Sequence, residues 1–407
     1  MFRYLTFRKF ARIVAPMQPD HRMDASSRRT APHDPPPGGR HTAEEIAQQP
    51  ALWSALAESL DEASARIDGF LGDWLARPDH RVLFAGAGSS GFLAELVADA
   101  VQAQWPADVR AIHTTRLLTH PALYLQRERP TLLMSFGRSG SSPESVAAVD
   151  LVRERVSAAR FLDITCNADG ALARRGAGRD DTLTLLMPPA SCDRGFAMTS
   201  SLTCMQLAAL AAFDRQTWPQ RLARLRQVAE CGRRALAEWE DGIAALAAGG
   251  AYSRVVYLGS GPLEALAREA ALKLLELTAG RVIAIADTPL GFRHGPKSTL
   301  NADTLVVVLR SAEPLARLYE RDLLDELRRE DVAGRVLSVG PQRDDGDDDF
   351  ALAVPSLPDP WLAPVWLTLA QRYALHRSAA LGLSPDDPFP DGTVNRVVQG
   401  VTLHPRR

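Results

Sequence analysis

Cysteine is scarce in this chain: Cys166, Cys192, Cys204 and Cys231 are the only four in 407 residues, and no two form a CxxC pair. That excludes a disulfide framework and a thiolate zinc site, and it fits a reducing cytoplasm. The nine histidines form no HxH or HExxH cluster, so no metal is implied. No uninterrupted apolar run is long enough to cross a bilayer. Excess charge is also lacking: the net is −2, with no lasting basic stripe, which argues against a nucleic-acid partner. What is present, 46% hydrophobic and 24% charged residues, is the composition of a soluble globular protein. The length allows two or three domains.

The first forty residues differ from the rest. Met1 to Ile13 is basic, with Arg3, Arg8, Lys9 and Arg12, and residues 18–40 are polar and proline-rich. This composition predicts a disordered leader over 1–40. It has neither the apolar core nor the cleavage site of a secretory signal. A dispensable leader, or an upstream start codon with the true start at Met23 or later, is expected; a membrane-surface anchor is the alternative. Thr42 followed by Glu44 and Glu45 reads as a helix N-terminus, and 41–79 as a helical segment.

From residue 80 strands and helices alternate. Arg81–Phe84 and Arg254–Leu258 are strand candidates, each followed by a glycine-rich turn. Val82 and Val255 lie 173 residues apart, as do the strand candidates starting at Thr131 and Thr304. The shared offset predicts two similar α/β halves, each a parallel sheet flanked by helices, with ligands at the C-terminal strand ends.

Gly86-Ala87-Gly88-Ser89-Ser90-Gly91 fits the dinucleotide fingerprint, but the acid expected at the end of the next strand is missing; Ile112-His113-Thr114-Thr115 stands there. The turn Gly137-Arg138-Ser139-Gly140-Ser141-Ser142-Pro143 says more. Ser142 can cap a helix with Pro143 at its first position, and Gly140 lets backbone N–H groups converge. Such N–H groups and hydroxyls form a site for a phosphate dianion; a plain capped turn would need one serine, not the four at 139, 141, 142 and 145. The matching stretch of the second half, Leu309 to Pro314, has lost the serine run, so one phosphate site per chain is expected.

Glu269, Lys273 and Glu276 fall on one stripe of a helix that is otherwise apolar nearly all round, so the helix should be buried. Two carboxylates and an ammonium there, followed by His294 in Gly-Phe-Arg-His-Gly-Pro, suggest acid–base chemistry. The Glu269–Lys273 spacing also suits an ordinary helix ion pair, and a lone histidine is more often structural.

Ser-Phe-Gly-Arg-Ser-Gly-Ser-Ser-Pro-Glu-Ser (135–145), Met-Thr-Ser-Ser-Leu-Thr-Cys-Met (198–205), Gly-Phe-Arg-His-Gly-Pro-Lys-Ser (291–298) and Val-Asn-Arg-Val-Val-Gln-Gly (394–400) resemble the sugar isomerase (SIS) family. The resemblance covers about 80–375 and is greatest to the bacterial galactosamine-6-phosphate deaminase/isomerase group. It extends to the isomerase half of glucosamine-6-phosphate synthase, whose glutaminase domain is absent from this chain. The resemblance implies two tandem SIS domains, 80–235 and 236–383, each a three-layer αβα unit, with a tail at 384–407.

It also implies site residues. Ser89, Ser90, Arg138, Ser139, Ser141 and Ser142 would hold the phosphate and sugar hydroxyls, and Ser200 and Ser201 would lie in the loop that approaches the sugar. Glu276 would be the proton-transfer base, its leucine neighbours raising its pKa. Lys273 and Glu269 would be the polar pair beside it, and His294 the ring-opening histidine. The synthase tail carries a lysine where this chain has Asn395-Arg396; arginine cannot form an imine, and a gating or anion-holding role for Arg396 is the remaining expectation. The implied reaction is deaminating isomerisation of a hexosamine 6-phosphate, galactosamine 6-phosphate first, with no metal or redox cofactor. Isomerisation without deamination and a non-catalytic sugar-phosphate sensor are the alternatives. A homo-oligomer, dimer or tetramer, with shared active sites is implied as well, and no membrane or nucleic-acid partner.

Overall fold

The structure, a computed structural model, describes residues 35–250, 252–343, 348–398 and 400–404. The expected leader through residue 34, and Gln399 of the tail motif, lie outside the described residues.

Ten strands form two five-stranded parallel sheets. The first contains β1 (Arg81–Gly86), β2 (Asp108–His113), β3 (Thr131–Gly137), β4 (Ala159–Thr165) and β5 (Thr182–Leu186), in the order β2-β1-β3-β4-β5. The second contains β6 (Arg254–Gly259), β7 (Ile283–Asp287), β8 (Thr304–Leu309), β9 (Arg335–Pro341) and β10 (Phe350–Leu352), in the order β10-β9-β8-β6-β7. Read from the other edge, that is the topology of the first sheet. β1 and β6, and likewise β3 and β8, begin 173 residues apart, the offset seen in the sequence.

Among the described residues, twelve α-helices complete the two halves. They are α1 (Arg40–Leu71), α2 (Ser89–Gln102), α3 (Thr114–Thr119), α4 (Pro143–Arg155), α5 (Ala171–Gly176), α6 (Ser200–Phe213), α7 (Trp218–Glu238), α8 (Glu240–Gly249), α9 (Pro262–Leu277), α10 (Pro289–Phe292), α11 (Pro314–Glu330) and α12 (Asp359–Ala380). β1, β8 and most of β3 and β6 are apolar runs buried on both faces, as central parallel strands must be. One continuous core runs through both halves, joining the inner faces of the sheets to α1, α2, α6, α7, α9 and α12. Smaller clusters fill the outer faces, under α4 (Leu133, Val152, Phe161) and under α11 (Val256, Val306, Leu324). α7 runs unbroken through the expected boundary at 235/236. Among the described residues no helix is long and apolar enough to cross a membrane.

The expectation for Thr42 needs correction. α1 begins at Arg40 with Gly39 at the cap position and no side-chain cap of its own. The carboxylate of Asp386 instead accepts the N–H groups of His41 at 2.9 Å and Thr42 at 2.7 Å, and the Thr42 hydroxyl at 2.7 Å. An anion at a helix start is favoured wherever in the chain it comes from. Here it ties the start of α1 to the C-terminal segment.

Candidate active site

β1 turns into α2 through Gly88, whose φ of +55° suits glycine. A Cβ on Gly86 would stand 2.4 Å from the Ser90 backbone, so the turn closes tightly. β3 turns into α4 through Gly140, at φ +61°. Ser142 caps α4 by accepting the N–H of Ser145 at 3.4 Å, with Pro143 at the first helical position, as its sequence predicts. Among the described residues none accepts the backbone N–H of Ser139, Gly140 or Ser142. Both turns open onto a cavity of about 290 Å³ at the C-terminal ends of the strands.

The opposite wall comes from the other half. Leu272 and Glu276 of α9 line the cavity, and Lys273 stands behind them, fully buried. Its Nζ donates to Glu276 Oε2 at 2.5 Å and to Ser89 Oγ at 3.0 Å, and lies 3.3 Å from Glu269. One ammonium thus joins the second half's helix to the first half's turn. Burial lowers the Lys273 pKa, but Glu269 and Glu276 outweigh it and hold the pKa above its ordinary value. Lys273 therefore stays charged at neutral pH.

The apolar setting expected for Glu276 belongs instead to Glu269. Glu276 sits on the cavity wall beside an ammonium, with its side chain 23% exposed. Glu269 is enclosed, and burial pushes its carboxyl to about 7; Lys273 opposes that shift and Glu276 adds to it. The helix stripe identified the three groups, but which of them is shielded depends on what packs against α9.

The tail forms the remaining wall through residues 394–398, and the loop before α6 contributes Phe196 and Met198. Arg138 is buried and donates to the carbonyls of Phe196 at 3.2 Å and Arg396 at 2.9 Å. Arg396 donates to the carbonyl of Asp193. Arg138 and Arg396 are the two basic side chains among the lining residues.

The structure brings Ser89, Ser90, Arg138, Ser139, Ser142, Glu276 and Arg396 to one cavity, with Lys273 and Glu269 behind it. It does not bring in four others. Ser141 is exposed and accepts the Ala171 N–H at 3.0 Å. Ser200 and Ser201 are fully buried at the start of α6, where their hydroxyls donate to the Glu45 carbonyl at 2.6 Å and to Asp193 at 2.5 Å. They fix the loop rather than face the cavity. His294 is exposed after α10 and does not line the cavity. Sequence reasoning missed Phe196, Met198, Glu144 and the loop-holding acids Glu45 and Asp193. An aspartate seven residues before Ser200 was the available signal, since such acids often hold the N–H groups of a helix start.

Comparison with known proteins agrees with this geometry. The family model for the SIS domain matches residues 75–215. D-galactosamine-6-phosphate deaminase AgaS of Escherichia coli is 42% identical over 376 residues, covering 90% of this chain and 96% of that protein. The protein of the same name from Shewanella sp. strain ANA-3 is 40% identical over 396 residues, covering 97% and 99%. Among solved structures, tagatose-6-phosphate ketose/aldose isomerase from Escherichia coli superposes with a TM-score of 0.83 at 39% identity, covering 92% of this chain and 99% of that one.

Proposed function

From the premise that this chain belongs to the sugar isomerase (SIS) family, we propose that it converts galactosamine 6-phosphate to tagatose 6-phosphate and ammonia. The chain is an enzyme of amino-sugar phosphate metabolism. One observation carries the reading: Glu276 of the second half, paired with the buried Lys273 behind it, faces the serine loop of the first across a single cavity. A sensor would need the loop but not the pair.

In this reading the phosphate docks on the open N–H groups and hydroxyls around Ser139 and Ser142, with Arg138 and Arg396 supplying positive charge. Ser89 and Ser90 meet sugar hydroxyls. After ring opening, the Glu276 carboxylate takes the proton from C2. The C–H electron pair becomes the C1–C2 double bond, and the carbonyl pair moves to O1, where Lys273 stabilises the charge. Glu276 returns the proton to C1 while the nitrogen lone pair closes the C2=N bond, and the proton that the iminium nitrogen sheds passes to O1, leaving a neutral C2 ketimine beside a C1 hydroxyl. Water adds at C2 and ammonia leaves. With a hydroxyl at C2 the same steps give an aldose–ketose isomerisation.

Ring opening needs a further proton carrier, and among the described residues no histidine lines the cavity. We assign it to His294 of a neighbouring copy in a homo-oligomer. Exposed Leu290, Leu315, Leu318 and Tyr319 on α10 and α11 offer apolar surface beside His294 for such pairing. The compartment in this reading is the cytoplasm.

The test is ammonia release from galactosamine 6-phosphate, glucosamine 6-phosphate and their N-acetylated forms. Ammonia from the galactosamine ester is expected. Interconversion of ketose and aldose phosphates without ammonia would leave an isomerase, and tight binding without turnover would leave a sensor.

A further inference from the structure

Two acids outside the cavity hold the loop that ends at α6. Asp193 is fully buried, and its carboxylate accepts the N–H groups of Thr199 at 2.8 Å, Ser200 at 3.0 Å and Ser201 at 2.9 Å, as well as the hydroxyls of Thr199 and Ser201. Glu45, on α1, accepts the N–H of Arg194 at 2.5 Å and of Gly195 at 3.2 Å. Gly195 is required for that approach, because a Cβ there would lie 2.9 Å from Glu45 Oε2 and 2.8 Å from Thr42 Oγ1.

With its N–H groups turned to these acids, the loop presents its carbonyls to the two arginines of the cavity. Phe196 O receives Arg138, and Asp193 O receives Arg396. The guanidiniums repel each other, and burial followed by the Arg396 charge lowers the Arg138 pKa. The fixed carbonyl dipoles, together with the negative charges of Asp193 and Glu276, hold these two cations side by side. Neither Glu45 nor Asp193 lines the cavity, so neither can touch a bound sugar.

We propose that Glu45 and Asp193 are positioning residues that set the anion-binding geometry of Arg138 and Arg396 through the 193–201 loop. α1 thereby controls substrate affinity at a site it does not line. This rests on the reading of the cavity as a sugar-phosphate site, but inorganic phosphate can probe it without turnover.

The experiment is a double-mutant cycle on the full chain, with Glu45→Ala, Arg396→Ala and the pair. Calorimetry with inorganic phosphate and the KM and kcat for galactosamine 6-phosphate are read for each. Glu45→Ala should weaken phosphate binding and raise KM about tenfold while kcat stays within about twofold. Glu45→Gln, which keeps an acceptor oxygen, should recover most of the loss. In the Arg396→Ala background the Glu45→Ala effect should shrink to less than about threefold, because the residues act in series. An equal effect in both backgrounds, or unchanged phosphate affinity with a lowered melting temperature, would overturn the proposal. If Glu45→Ala does not fold, Glu45→Asp, whose shorter chain draws the acceptor off the loop, must show the same coupling to Arg396. Ammonia release failing in the wild type while the phosphate cycle holds would sink the proposed reaction and leave the positioning role standing.

Discussion

The two halves share a topology and differ in what fills the turn after their third strand. After β3, the N–H groups of Ser139, Gly140 and Ser142 meet no acceptor among the described residues, and all three residues line the cavity. After β8, the corresponding turn is filled by the protein's own carboxylates. Asp359 accepts the Ala312 N–H at 2.6 Å and the Ser311 hydroxyl at 2.5 Å, and Glu320 accepts the Ser311 N–H at 3.0 Å. Arg310 meets Glu320 at 3.3 Å and Asp348 at 3.0 Å. An internal anion stands where the first half would take a phosphate. The helices differ in the opposite sense. α9 carries Glu269, Lys273 and Glu276, whereas 173 residues earlier stand Leu96 and Ala100 of α2 and Ala103 just past its end. A second cavity, about 500 Å³, lies against that face of α2 and the start of α9, lined by Asp99, Ala100, Ala103 and Pro262. One half supplies the anion cradle and the other the ionisable stripe, so a working site needs both.

The sharpest way to break this asymmetry is through the stripe. Lys273→Met should lower kcat by about a hundredfold or more in the ammonia assay, since it removes the charge that stabilises O1. Ala100→Lys on α2 should not create activity in that background, because the second cradle is already filled.

Next come the cradles themselves. Ser139→Ala with Ser142→Ala should raise KM about tenfold or more with kcat nearly unchanged. Glu320→Ala should leave KM unchanged and cost about 3–5 kcal/mol of stability in denaturant titration, because Arg310 loses a buried partner. A stable Glu320→Ala chain with altered KM would mean that the second cradle is part of the site.

The smallest effect concerns pH. Burial pushes Glu269, Glu45 and Asp163 each to about 7. Between ordinary carboxyl values near 4 and about 7 the folded chain holds protons that the unfolded chain releases. These groups therefore make stability fall as pH rises through that window. Glu269→Gln should make the decline of melting temperature from about pH 5 to pH 8 shallower. An unchanged slope would mean that Glu269 is not the shielded carboxyl of the stripe.

The strands at a common offset, the Ser142 cap and the three-residue stripe were legible because each depends on local spacing. Ser141, Ser200 and Ser201 were not, since a serine's identity does not say whether its hydroxyl meets solvent, a backbone carbonyl or a ligand. The exchange of environments between Glu276 and Glu269 was hidden for a related reason: α2 packs against α9 and decides which carboxylate it covers. The cap of α1 by Asp386 joins residues 344 apart, which no local pattern reveals. His294 lies outside the cavity of its own chain, so the role proposed for it requires a second copy.

The most direct measurement pairs calorimetry and ammonia release for the wild type and Glu276→Gln with galactosamine 6-phosphate. The account predicts one binding site per chain in Glu276→Gln, at close to wild-type affinity, and ammonia release reduced by about a thousandfold. Two sites per chain, or ammonia released from Glu276→Gln at the wild-type rate, would contradict it.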